Sequence, residues 1–141
     1  DVAFDVDANG WRLPTESEWE FLARAGEAHR FSGSDDLAEV GWCTGAEQPY
    51  EARVVGDLAP NAWGLHDMTG NVAEWVWDRP DDYPDETVED PTGATFGSFR
   101  MHRGGAFPQT DNSCRVARRG EGSPGTTNWN RGFRVVRSLV D

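Results

Sequence analysis

Residues 60–78 read PNAWGLHDMTGNVAEWVWD, and this stretch decides the fold class. Three tryptophans, Trp63, Trp75 and Trp77, surround a short polar turn that carries Asp67 and Glu74. Large aromatic side chains supply burial that an otherwise polar sequence lacks. The Gly70-Asn71 pair inside the cluster turns backbone carbonyls inward, and a hard cation such as calcium is the usual acceptor for oxygens so gathered. The reading is a fold held by loops and aromatics, with the turn as a candidate metal site.

The rest of the chain agrees with a loop-rich domain. At 141 residues it is long enough for one core and too short for two. Sixteen Gly and eight Pro argue for turns over a helical bundle. No apolar run reaches the length of a membrane span or a signal peptide, and the compartment is left open. Twenty-five acidic residues face thirteen basic ones, all arginine, for a net charge of −12. That balance excludes a phosphate-binding groove for nucleic acid, which needs a basic footprint. It fits an acidic surface kept hydrated in high salt, an arginine-favouring codon bias, or attraction to a basic partner. Cys43 and Cys114 form either one disulfide or two ordinary buried thiols; their separation in sequence leaves both open.

Local patterns supply the elements. Residues 1–10 are a polar lead-in. Arg12 to Gly26 reads as a helix, with Thr15 and Glu18 as a capping box, Glu16 and Glu18 at its positive end, Gly26 as its stop, and Trp19, Leu22 and Ala23 on one face. Residues 31–56 read as turns and short extended pieces, residues 73–78 as a short extended segment or a helical turn, and residues 78–97 as an acidic, proline-rich excursion. Phe99–Phe107 reads as a strand bent at Gly104-Gly105. Ser113–Arg118 and Gly132–Leu139 alternate as strands, with a polar loop over residues 119–130 between them. There is no internal repeat. His29, His66 and His102 lack metal-ligand spacing and read as surface or loop residues.

Four blocks now stand in order: GWRLPTESEWEFLARAG, PNAWGLHDMTGNVAEWVWD, RGGAF with CRVARR, and NRGFRVVR. Together they resemble the formylglycine-generating enzyme, or sulfatase-modifying factor, family, over nearly the whole chain. The resemblance implies an α+β fold of the C-type lectin-like type, rich in structured loops. It also implies that elements normally N-terminal to the first helix are missing, so the last strand lacks a partner. An unpaired edge invites another chain, and association with the missing segment or with a second copy is expected.

The resemblance further implies a structural calcium site at Asp67, the carbonyls of Gly70 and Val72, and Glu74. The alternative is that Asp67 caps the turn and Glu74 pairs with an arginine among Arg115, Arg118 and Arg134. A second calcium site of the family depends on a loop shortened around residues 44–50 and is not transferred. The oxidising members use two active-site cysteines and copper; CRVARR aligned on their strand sets Asp111 and Val116 at those positions. Neither side chain is a thiolate or a soft copper ligand, so no catalytic residue is assigned and copper is not expected.

What is left is a surface. The loops at residues 107–113 and 119–130 carry Phe107, Gln109, Asp111, Arg118, Arg119, Asn128 and Trp129, aromatic and hydrogen-bonding groups suited to reading a protein or a small polar ligand. A bland alternative makes Trp129 core and the rest solvated loop. Three functions follow: a non-catalytic binding module, which is preferred; an oxidase acting on protein cysteine, or a fragment of one; and a hypervariable binding protein diversified by a retroelement.

Overall fold

The computed structural model describes residues 5, 8–43 and 51–138. Residues 44–50 and Leu139, which bear on the shortened loop and the end of the last strand, lie outside the described residues.

Helix α1 (Glu16–Arg24) forms as its sequence dictates. The Thr15 hydroxyl accepts the Glu18 N–H, and the Glu18 carboxylate accepts the Thr15 N–H at 2.8 Å. The helix ends one residue earlier than its glycine suggests, on Ala25 in the left-handed region, with Gly26 following at φ 81°. Trp19 and Ala23 are fully buried and Leu22 packs beside them. A single turn α2 (Leu37–Val40), capped by Asp36, leads into β1 (Gly41–Trp42), so the segment at 31–56 holds more order than turns alone.

β1 pairs in parallel with β2 (Thr69–Gly70). The main sheet has the order β5-β4-β3-β6, from β3 (Ala73–Trp75), β4 (Arg100–Arg103), β5 (Gly120–Gly122) and β6 (Arg131–Phe133). β3 runs antiparallel to β4 and parallel to β6, with Glu74 opposite Arg103 on one side and Gly132 on the other. The bend after β4 falls at Gly104-Gly105, both at positive φ, as expected.

Three expectations are corrected. Residues 113–118 are not a strand: Asp111–Cys114 is a 3-10 turn, fixed by the bond that Cys114 makes below. Among the described residues the strand expected over 132–139 is confined to β6, which is not without a partner since it pairs with β3, and an isolated bridge follows in which Val136 exchanges both backbone bonds with Arg12. The loop at 119–130 contains β5, which closes the sheet beside β4. The acidic excursion is as read, with residues 81–92 exposed throughout.

The core is small: Trp19, Ala23, Met68, Val76, Met101 and Val116, with Leu22 and Leu65 against it. Charge is buried beside it. Arg103, 1% exposed, donates to Glu16 at 2.7 Å, to Glu20 and to the Val116 carbonyl at 2.8 Å, and its guanidinium lies 5.4 Å from the Trp19 ring. Both Nη groups of this buried guanidinium are met, while its Nε–H finds no partner among the described residues.

Cys43 and Cys114 are joined in a disulfide, closing a separation of 71 residues. Of the two alternatives the sequence left open, the bridged one holds. In the chain-entropy account a loop of that length is worth about 4 kcal/mol.

Candidate functional site

The turn of the opening motif is the hub on which the candidate surface hangs. Gly70 and Asn71 both take left-handed φ, 75° and 61°. A Cβ on Gly70 would lie 2.3 Å from the Trp42 carbonyl oxygen and 2.4 Å from the Cys43 sulfur, so only glycine fits. Asn71, 4% exposed, brackets Arg53 with its side-chain amide: it accepts the Arg53 N–H at 2.9 Å and donates to the Arg53 carbonyl at 3.2 Å. Its own carbonyl accepts the Phe107 N–H at 3.0 Å, so a backbone donor satisfies an oxygen expected to seek a cation. Next along the chain, the Ala73 N–H donates to the Asn130 carbonyl at 3.0 Å. Both candidate loops are thus tied to three consecutive residues.

On that base, Phe107 and Trp129 meet with ring centroids 5.0 Å apart. Phe107 is buried, while Trp129 is 60% exposed, so Trp129 is not core. Gln109 is spent on its own turn: its amide oxygen accepts the Ala106 N–H at 3.0 Å. Asp111 pairs with Arg30 at 3.2 Å. Arg118 is exposed, and Asn128 caps the loop end through the Arg131 N–H at 3.3 Å. Arg119 does not join them. It grips Glu16 through two bonds, at 2.8 and 2.6 Å, and stacks on Tyr83 at 4.4 Å, facing the acidic excursion. The surface that the structure brings together is therefore Phe107 with Trp129, flanked by loop polar groups.

The sulfurs beneath these loops are sequestered. Cys43 is 2% and Cys114 0% exposed, and the two are bonded to each other. Val116, one of the two positions aligned with catalytic cysteines, is buried at 1%, and Asp111, the other, is in its ion pair.

At the candidate metal turn, Asp67 accepts the Gly56 N–H at 2.7 Å. Glu74, 6% exposed, accepts the Trp19 indole N–H at 2.6 Å and a two-pronged bond from Arg134, at 2.6 and 2.7 Å. The arginine pairing that the sequence offered as an alternative is thus present, through Arg134. Asp67, Val72 and Glu74 line one cavity of about 440 Å³ together with Arg134. Among the described residues no three His, Cys, Asp or Glu side chains gather at a metal-sized point, so carbonyls would supply half the ligands. Glu74 Oε1 takes one bond and keeps capacity for a second. Arg134 holds both Glu74 oxygens, so a cation at this turn would have to compete with it.

Sequence reasoning missed three groups: Asn71 as the hub, Trp19 as the donor holding Glu74, and His102. That histidine sits half-buried in β4, edge-on to Trp75 at 5.7 Å, and not in a loop. Burial first, and then the Arg131 charge, push its imidazole down to about 4. Asp78 goes the other way: burial, outweighing its bond from the Glu16 N–H, lifts its carboxyl to about 6. The alternating pattern of strand β4 was the available signal for His102; nothing local announced the others.

Comparison with known proteins places the chain. The sulfatase-modifying factor enzyme 1-like domain matches residues 2–139. The chain is 36% identical over 146 residues to a formylglycine-generating enzyme of Streptomyces coelicolor, covering 90% of this chain and 46% of that protein. It is 34% identical over 137 residues to the serine/threonine-protein kinase pkn1 of Chlamydia pneumoniae, covering 92% of this chain and 21% of the kinase. Among solved structures, Treponema denticola variable protein 1 superposes with a TM-score of 0.86 at 37% identity, over 93% of this chain and 49% of that one. The fold is the loop-rich, C-type lectin-like type that the sequence implied. The chain spans about half the length of the enzyme and of the variable protein. It belongs to the sulfatase-modifying factor family.

Proposed function

We propose that this chain is a non-catalytic binding module, taking a protein or a small polar ligand on the loops that carry Phe107, Gln109, Asp111, Arg118, Asn128 and Trp129. The observation that carries the reading is the state of its only two sulfurs from cysteine, which are bonded together and buried under the loops. A buried disulfide offers neither thiolate nor soft metal ligand. Above it, an exposed tryptophan on a fixed base is the kind of anchor that dominates binding surfaces. The test is oxygen uptake with copper and a cysteine-containing peptide, before and after reduction of the disulfide. No uptake is expected in either state; sustained uptake coupled to loss of the peptide thiol establishes the oxidase reading instead.

The likeness to a variable protein favours a second reading, a binding surface diversified by a retroelement. It requires adenine-derived substitutions clustered between Phe107 and Asn130 and a near-duplicate template nearby in the genome. A genome without such a template removes it.

Two further elements belong to the proposal. Calcium is held by Asp67, Glu74 and the carbonyls of Gly70 and Val72, in competition with Arg134. Titration calorimetry with calcium checks it: Arg134→Gln binds more tightly than the parent, and absence of heat in both proteins discards the site. Association with a second copy, or with polypeptide corresponding to the other half of the relatives, uses the open edge of β6. Sedimentation of the chain across concentration, alone and with such a polypeptide, reads it out.

A further inference from the structure

Arginines in so acidic a chain find acids easily, as Arg12 does with Glu18, Arg24 with Glu20, Arg103 and Arg119 with Glu16, and Arg134 with Glu74. Arg100 and Arg131 do not. Among the described residues neither reaches ion-pair distance of a carboxylate, although both are partly withdrawn from water, and burial lowers the pKa of each. Asp78 acts on Arg100 only through the longer-range field. In a chain with 25 acids, two half-buried guanidiniums without counter-ions call for a physical reason.

Arg100 lines one groove, and Arg131 stacks on Trp75, a wall of the same groove. Trp75 and Trp77 are two residues apart, so they face the same side of the extended segment. Arg131 stacks on Trp75 at 4.9 Å and Arg100 on Trp77 at 4.7 Å. Arg100 is opposite Gly122 in the sheet, and a Cβ on Gly122 would lie 2.0 Å from Arg131 Nη1. The missing side chain at Gly122 is what leaves room for the Arg131 guanidinium over β5. Trp75, Trp77, Leu13, Pro124, Phe133 and Arg100 line a cavity of about 260 Å³ in which arginine is the only charged side chain. That volume suits one anchoring side chain of a larger ligand, since whole small-molecule sites run from roughly 300 to 1,000 Å³. Phe133, 68% exposed, stands on β6, the edge strand of the sheet.

We propose that this groove binds an extended acidic peptide segment, with an aromatic or aliphatic side chain seated between Trp75, Trp77 and Phe133 and flanking carboxylates on Arg100 and Arg131. The strand edge of β6 offers backbone pairing to such a segment, and the groove supplies the side-chain selection. Each guanidinium is already seated over its tryptophan ring, which reduces the ordering cost of a charge-assisted contact. The groove shares no aromatic side chain with the Phe107–Trp129 surface, although Arg131 adjoins that surface through its N–H on the Asn128 carbonyl.

The test uses blocked pentapeptides that alternate glutamate with phenylalanine and valine, beside versions carrying glutamine or lysine in place of glutamate. Binding to the 141-residue chain is followed by the indole N–H resonances of Trp75, Trp77 and Trp129. The glutamate peptide is expected to bind at least tenfold more tightly than the glutamine peptide and to move Trp75 and Trp77. Arg100→Gln and Arg131→Gln, each checked by its melting curve, bring that ratio towards one, and the double change to Glu turns the preference to the lysine peptide. Trp129→Ala leaves the ratio intact. Equal binding of the glutamate and glutamine peptides overturns the proposal, as does a response confined to Trp129. Concentration-dependent sedimentation that shifts Trp75 and Trp77 without any peptide overturns it in favour of a second copy of the chain.

Discussion

Arg103 is 1% exposed and Trp129 is 60% exposed. The usual partition of charge outside and aromatic surface inside is inverted between these two regions, and the inversion separates what holds the molecule from what it presents. Around α1, the carboxylates of Glu16 and Glu20 are gathered on Arg103, with Arg119 and Arg24 completing the network. Around the loops, Trp129 faces outward over the buried Phe107, on a base of backbone bonds to Asn71 and Ala73 and a disulfide. Ion pairs and a covalent bond stand beside the apolar cluster around Trp19 and Met68, and Trp129 is left for contact.

The disulfide carries the largest single contribution in this picture. Cys43→Ala with Cys114→Ala is expected to cost about 4 kcal/mol by the loop-closure relation, read as a fall in the denaturant midpoint. An unchanged midpoint would mean that the loop base is fixed by its hydrogen bonds alone, and the contrast between the two regions would lose one of its two supports.

Next comes Arg103→Leu. Removing one partner of a buried ion pair costs about 3–5 kcal/mol in general. The lower end, about 3 kcal/mol, is expected here because Glu16 keeps Arg119 and Glu20 keeps Arg24. Trp129→Ala is expected to stay within about 0.5 kcal/mol of the parent, as exposed substitutions do. Chemical denaturation of the two variants side by side measures the contrast directly. A Trp129 variant as unstable as the Arg103 variant makes the tryptophan a packing residue and withdraws it from the binding surface.

How much of this was legible in the sequence follows from the range of each interaction. The capping box of α1, its buried face and the bend at Gly104-Gly105 are set by neighbours within a few residues, and all are present. The pairing of Glu74 with an arginine could be named as an alternative, but selecting Arg134 required the parallel register of β3 and β6. The 3-10 turn at 111–114 read as a strand because Cys114 looked like one more alternating apolar residue, whereas its geometry is dictated by Cys43, 71 positions away. Arg119 was grouped with the loop next to it in sequence, yet its charge is claimed by Glu16 across the fold. Long-range ionic choice is invisible to local pattern. The structure brings the aromatic members of the candidate set together and sends Arg119 to α1.

The last expected effect is one that the parent protein conceals. Asp78 has its carboxyl raised from 3.8 to about 6, so the folded state holds that proton more tightly than the unfolded chain. Its contribution favours folding below pH 4 and is lost as pH rises through 6. His102 has its imidazole lowered from 6.5 to about 4, so the folded state resists that proton. Its contribution is present above pH 6.5 and is lost as pH falls towards 4. The two windows overlap and the signs are opposite, each worth roughly 2–3 kcal/mol at about 1.4 kcal/mol per pKa unit. Their sum across pH 4 to 6.5 is expected to be close to flat in the parent. Asp78→Asn, which retains an oxygen for the Glu16 N–H, removes one term, and its stability relative to the parent falls on acidification through this window. His102→Gln removes the other, and its relative stability rises. Taking each variant against the parent at every pH cancels the other carboxylates, which titrate in all three proteins. Denaturant midpoints at pH 4, 5, 6 and 7 suffice. Two variants that track the parent would show that neither group is desolvated in the folded state, and that the sheet face around Trp75 and the start of α1 are wetter than their packing implies.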